Sequence, residues 1–149
     1  MYSDWGANLI VVLATAVVVA MAVLMHYEGL RWLSVRLTAL QGARRRKVLF
    51  GVYGVILLHV AEIWLFGLCL WGLLQVSHAG SIGGAPWPRL LDAIYLSATT
   101  FTTLGLGDLV PVGAVRFLTG TETLSGFILI TWSASFLYLE MQEFWRGRG

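Results

Sequence analysis

Thr102-Thr103-Leu104-Gly105-Leu106-Gly107-Asp108 lies between two long apolar stretches and decides how the chain is read. Two glycines alternate with leucines, after a threonine pair and before an acid. Glycine adopts φ values that other residues avoid, so a strand of this kind can turn successive carbonyls to one side. A ring of such strands stacks oxygen cages in which a cation exchanges its water for carbonyls. One copy cannot surround an ion, whereas four copies about an axis can.

Composition agrees with such a strand at membrane depth. Of 149 residues, 58% are hydrophobic and 12% charged, and the mean hydropathy is +0.77. These values belong to integral membrane proteins. The net charge of +2 is too small to suggest nucleic acid, and the aromatic residues lie inside apolar runs. Cys69 is alone, which excludes a disulfide framework or thiolate cluster and leaves a packing residue. Asp4 precedes the first apolar run and no small-residue cleavage site follows it, so a secretory signal peptide is not expected.

Working outward, Leu90 to Phe101 is apolar but too short to span, the length of a re-entrant helix. Upstream, Ser77 to Pro88 contains Gly80, Gly83, Gly84, Pro86 and Pro88 and reads as an irregular loop. Val48 to Val76 is a span interrupted by His59 and Glu62, and Ala7 to Met25 is another, free of charge. Between them, residues 29–47 carry Arg31, Arg36, Arg44, Arg45, Arg46 and Lys47 and read as an interfacial, partly helical connector. Downstream, residues 112–145 form the last long helix, with Arg116 and Glu122 in it, and Trp145, Arg146 and Arg148 close the chain at an interface. Basic residues crowd the connector and the C-terminus, which places both in the cytoplasm and the N-terminus and the heptad's mouth outside a plasma or bacterial inner membrane.

The heptad resembles the selectivity-filter signature of the potassium-channel pore family, usually Thr-Val-Gly-Tyr-Gly-Asp. Thr103, Leu104, Gly105, Gly107 and Asp108 fit it, and Leu106 stands where the family has an aromatic. The pattern of span, short helix, filter and span covers roughly residues 48–145 and resembles that family's two-helix pore module. The expected fold is therefore an all-α membrane protein with three transmembrane helices, a re-entrant pore helix and a filter, forming a tetrameric pore. Residues 1–47 supply an added helix and basic connector. Residues 48–149 supply the pore module, with outer helix 48–76, pore helix 90–101, filter 102–108 and inner helix 112–145. The added helix has no repeated arginines and is not a voltage sensor of the usual kind.

The resemblance implies a homotetrameric channel for K+, with no reaction catalysed and no cofactor beyond the permeant ions. K+ would sit at the Thr103 hydroxyl and carbonyl and at the carbonyls of Leu104, Gly105 and Leu106. Asp108 would form an acidic outer ring, with Tyr95 either its hydrogen-bond partner or an interfacial aromatic. Gly126 falls where the family has an inner-helix hinge, and close helix packing is the other use of a glycine there. Ile128, Thr131, Ser135 and Leu139 share one helical stripe, which by resemblance faces the cavity and ends in an apolar gate. Glu140 and Glu143 follow at the cytoplasmic mouth.

Ionisable groups inside spans need an explanation. Glu122 is a candidate proton sensor beside the filter, or a buried acid satisfied by Thr99 or Thr100. His59 and Glu62 lie on one helical face. They suit a structural pair, with each other or with the first helix, better than the start of a metal site. Arg44, Arg45, Arg46 and Lys47 set topology and could also hold anionic lipid headgroups. Two alternatives stand beside potassium conduction: within transport, a weakly selective or sodium- or calcium-conducting channel, because of Leu106, and, of another class, a non-conducting assembly subunit. A membrane enzyme finds no Ser/His, Cys/His or His-x-x-x-His constellation here.

Overall fold

The computed structural model describes residues 5–40, 44–85 and 87–146, with the side chains of all but 44 and 143–146. The roles expected of Arg44, Glu143, Trp145, Arg146 and Arg148 side chains thus fall outside what is described. In chain order the elements are α1 (Trp5–Ala39), α2 (Arg44–Leu73), β1 (Gly80–Gly83), α3 (Leu90–Phe101), β2 (Val110–Gly113) and α4 (Arg116–Arg146). Three of these helices are long and apolar enough to cross a membrane, within Trp5–Ala39, Arg45–Leu73 and Arg116–Gln142. The twelve-residue α3 is not.

α1 buries a single seam: Ala7, Val11, Thr15, Val18, Ala22, His26, Leu30, Leu33 and Leu37. Spacing of three and four keeps these side chains on one helical face, which packs on α2 and α4. Leu9, Leu13, Val17 and Leu24 on the other faces are exposed, as suits a helix whose surroundings are lipid. The segment expected to be a connector over 29–47 is largely helix, because the seam does not stop at the first charges. Leu30, Leu33 and Leu37 continue it and cluster with Val55 of α2. At ~1.5 Å per residue the 35-residue helix reaches about 52 Å, well beyond a ~30 Å hydrocarbon core.

The loop expected to be irregular over Ser77 to Pro88 contains β1, which pairs antiparallel with β2 from Gly80↔Gly113 to Gly83↔Val110. The inner helix consequently begins at Arg116, since Val110–Gly113 is strand. Gly80 makes the pairing feasible, because a Cβ there would stand 2.2 Å from the Val112 carbonyl oxygen. This two-stranded tie links the chain entering α3 to the chain leaving the heptad.

α3 starts with the Arg89 N–H donating to Asp92 Oδ2 at 2.7 Å, an acid well placed against the positive end of the helix. It stops at Thr102, whose N–H and hydroxyl both donate to the Ala98 carbonyl, at 3.2 and 2.7 Å. α3 packs between α2 and α4 around Phe66, Leu70, Leu96, Phe101, Leu118 and Leu129. Gly67 of α2 allows a close approach, with a Cβ position 2.9 Å from the Ile94 Cα.

Candidate functional site

The heptad leaves the end of α3 held by two backbone bonds, Thr103 N–H to Thr100 O and Gly105 N–H to Thr99 O, each 3.0 Å. Beyond these it adopts positive φ at every second residue, 60° at Thr103, 53° at Gly105 and 81° at Gly107, and at neither Leu104 nor Leu106. In a pleated strand successive carbonyls point to opposite sides. Reversing the sign of φ at alternate residues can swing every second peptide plane over, the conformation a strand needs to gather its carbonyls on one side. For Thr103, a β-branched residue, φ 60° is a costly conformation that the surrounding structure must hold. Residues 102–108 are all exposed in the single chain, with Leu104 at 63% and Leu106 at 59%, so this strand faces away from its own helices.

Support comes from behind. The Tyr95 hydroxyl donates to Asp108 Oδ2 at 2.9 Å, and this hydrogen bond, followed by desolvation and the carboxylate charge, raises the Tyr95 pKa above that of an ordinary phenol. Gly84, at φ 93°, brings the incoming loop against the Asp108 carbonyl, 2.1 Å from where a Cβ would be. At the base of α3 the Phe101 carbonyl rests against Gly126 of α4, where a Cβ would lie 2.2 Å from the oxygen. α4 runs unbroken through this glycine. Close packing is therefore what Gly126 provides in this conformation.

Glu122 is fully buried, and its partner is Ser97, not the expected Thr99 or Thr100. Thr99 spends its hydroxyl on the Leu96 carbonyl of its own helix, at 3.0 Å. Ser97 shares a buried face of α3 with Ile94 and Phe101, the i, i+3, i+7 pattern that could have singled it out. Its hydroxyl also donates to the Ile63 carbonyl at 2.9 Å, joining α2, α3 and α4. Among the described residues, Glu122 Oε2 is a buried oxygen without a hydrogen-bond partner.

Ile128, Thr131, Ser135 and Leu139 are all exposed along one side of α4. Thr131 and Ser135 hydroxyls donate back to the carbonyls of Phe127 and Thr131, at 2.9 and 3.0 Å. Glu140 turns to α1, where Ser34 donates to it at 3.0 Å. Arg45, Arg46 and Lys47 sit in the first turn of α2, the two arginines exposed.

His59 Nδ1 meets Glu62 Oε2 at 2.8 Å, as their spacing suggests, and the other oxygen, Oε1, meets His26 Nδ1 of α1 at 2.7 Å. In the sequence, His26 directly follows the apolar run that ends at Met25. Its place on the buried seam, four residues after Ala22 and four before Leu30, is the signal that it points inward. His59 lies 5.8 Å from the Phe101 ring, which places the trio against the base of α3.

Helices, short helix and strand in this order define a pore-forming membrane protein, and comparison with known proteins agrees. The profile of the family described as "Ion channel" matches residues 48–143. The chain belongs to this ion-channel family, a two-helix, potassium-channel-like group of pores. It is 33% identical over 82 residues to Protein LctB of Geobacillus stearothermophilus, a match that covers 55% of this chain and 61% of that protein. No solved structure matches at comparable significance. The matched region begins in α2, and α1 lies outside it.

Proposed function

We propose that four copies of the chain assemble about an axis as a channel that conducts potassium passively across the cell membrane. The alternating positive φ at Thr103, Gly105 and Gly107 on an exposed strand carries this reading. Four such strands facing one another would offer an ion the Thr103 hydroxyl and the carbonyls of Thr103, Leu104, Gly105 and Leu106 in place of water. α3 would act as a re-entrant pore helix whose C-terminal partial negative charge favours a cation below the filter. Irregular backbone at that depth is tolerated because it lines a wet pore. Asp108, hydrogen-bonded to Tyr95, would ring the outer mouth. Ile128, Thr131 and Ser135 would line the cavity down to a Leu139 gate, and Gly126 would add a hinge only in a second, bent state of α4. The basic residues beside α2 and at the C-terminus orient these ends to the cytoplasm, where Arg44, Arg45, Arg46 and Lys47 can meet anionic headgroups.

Leu106 supports a second reading, a weakly selective or different-cation channel. It keeps the carbonyl but lacks the ring that packs and stiffens the outer filter in the family. Purified protein in liposomes tests both readings and the non-conducting alternative, with potassium, rubidium, sodium and calcium flux measured side by side and subunits counted by native mass. Four subunits and a potassium-led flux are expected. A monomer as the stable species, or no flux of any cation from intact tetramers, overturns the channel. A calcium-led flux overturns the potassium assignment.

A further inference from the structure

We propose that His26, His59 and Glu62 form a divalent transition-metal site, of the kind that takes zinc, clamping α1 to α2 behind α3. Their ligand atoms, two imidazole nitrogens and a carboxylate oxygen, all lie within 4.8 Å of one another. Two histidines and a glutamate are a donor set that zinc accepts. Each carboxylate oxygen already faces one ring, Oε1 toward His26 Nδ1 at 2.7 Å and Oε2 toward His59 Nδ1 at 2.8 Å. Three side chains therefore supply three ligands around one centre, and a water at the fourth position completes the tetrahedral set of an open zinc site.

In the metal-free arrangement both rings hydrogen-bond to the carboxylate. Bonds of ~2.0–2.1 Å to a tetrahedral ion put its ligand atoms roughly 3.3 Å apart, so each ring would withdraw from the carboxylate by about 0.5 Å while the two ring nitrogens, within 4.8 Å of each other, settle at the same separation. The remaining ring nitrogen of His26 has a partner suited to either state. Ser133 Oγ stands 3.5 Å from Nε2, and a hydroxyl can donate to that nitrogen or accept from it. When Nδ1 binds metal the ring carries its proton on Nε2, and a metal-bound histidine commonly gives that N–H to such an outer acceptor. The walls are dry. The Trp132 ring lies 5.1 Å from His26 and the Phe101 ring 5.8 Å from His59. Side chains of His26 and Glu62 have no exposure, whereas that of His59 keeps 17%, which marks the side from which an ion enters. The Glu62 carboxylate offsets part of a divalent ion's charge, as a carboxylate ligand does in zinc sites. The site does not need the conduction reading, since all three side chains meet within one chain.

The test uses the full chain without an affinity tag, stripped with chelator in detergent and titrated with Co2+ as an optical probe. We expect one Co2+ per chain with the intense visible bands of a four-coordinate ion, bleached when Zn2+ displaces it. His26→Ala should weaken binding by at least about 100-fold, the upper end of what losing an outer-shell partner costs. His78→Ala, on the loop before β1, should change nothing. Should His26→Ala fail to assemble, His59→Ala takes its place. Melting of the wild type should in either case rise by at least about 5 °C when Zn2+ is in hundredfold excess over its Kd. Wild-type binding no tighter than in the histidine variants, a six-coordinate spectrum, or a melting temperature indifferent to Zn2+ overturns the site and leaves a hydrogen-bonded trio.

Discussion

Gly105 and Gly107 contrast with Gly67 and Gly126. The first pair has positive φ and open space, with no atom within 4 Å of where a Cβ would be. The second pair lies inside α2 and α4 and has no room, the Cβ positions falling 2.5 Å from Ile94 Cδ1 and 2.2 Å from the Phe101 oxygen. At the heptad glycine serves backbone conformation, and at the helix crossings it serves contact distance. The exposed strand is thus shaped by torsion and a few hydrogen bonds to α3, while the helices behind it are drawn together until no side chain fits. In the proposed tetramer, a filter held this way would depend on packing at its back and on other copies of itself at its front.

The contrast breaks most sharply at the heptad. Gly105→Ala or Gly107→Ala should abolish potassium flux while tetramer yield and melting stay close to wild type. An L-residue resists the positive φ but meets no neighbour within its own chain. Wild-type flux through either variant would separate the heptad from conduction. Loss of assembly with conduction spared would invert the comparison.

Gly126→Ala and Gly67→Ala should do the opposite, losing stability before conduction. Forcing a methyl into a packed crossing costs about 1–3 kcal/mol, and Gly126→Ala should lie at the top of that range because its obstacle is a backbone oxygen. Thermal melting of the tetramer in detergent checks this. Unchanged melting in Gly126→Ala would favour the hinge over the contact.

Smaller effects sharpen the account of what stands behind the filter. Ser97 has one hydroxyl proton and two acceptors in reach, the Ile63 carbonyl and Glu122 Oε1. A donor on residue 122 completes the chain. Glu122→Gln should therefore preserve assembly and flatten the pH dependence of flux, while Ser97→Ala should cost about 1–3 kcal/mol through an unsatisfied buried acid. Identical pH profiles for wild type and Glu122→Gln would make Glu122 a structural acid only.

The smallest effects belong at the outer mouth. Leu106→Tyr should raise potassium over sodium selectivity modestly, measured by reversal potential, by restoring a stiff ring outside the carbonyl column. Tyr95→Phe should lower it slightly by releasing Asp108. Because the Tyr95 pKa is raised, its hydrogen bond holds through the ordinary phenol range, about 10, and is lost only as pH climbs through the raised value. Selectivity in the wild type should fall in that alkaline window and stay flat in Tyr95→Phe.

Local chemistry made much of this protein legible from its residues alone. Apolar run lengths marked three membrane-length helices and one short one, because a bilayer's thickness selects length directly. The glycine alternation marked the strand, because φ is a property of single residues. Helix positions, however, carry no record of which other helix they meet. Partner choice depends on rotation and axial register between helices that lipid does not dictate. Only the packed chain therefore decided that Glu122 meets Ser97, that Phe101 leans on Gly126, and that the strands around Gly80 and Gly113 pair. The same holds for His26. It is one turn along an unbroken seam in sequence, and only the docking of α1 carries it across to the Glu62 carboxylate.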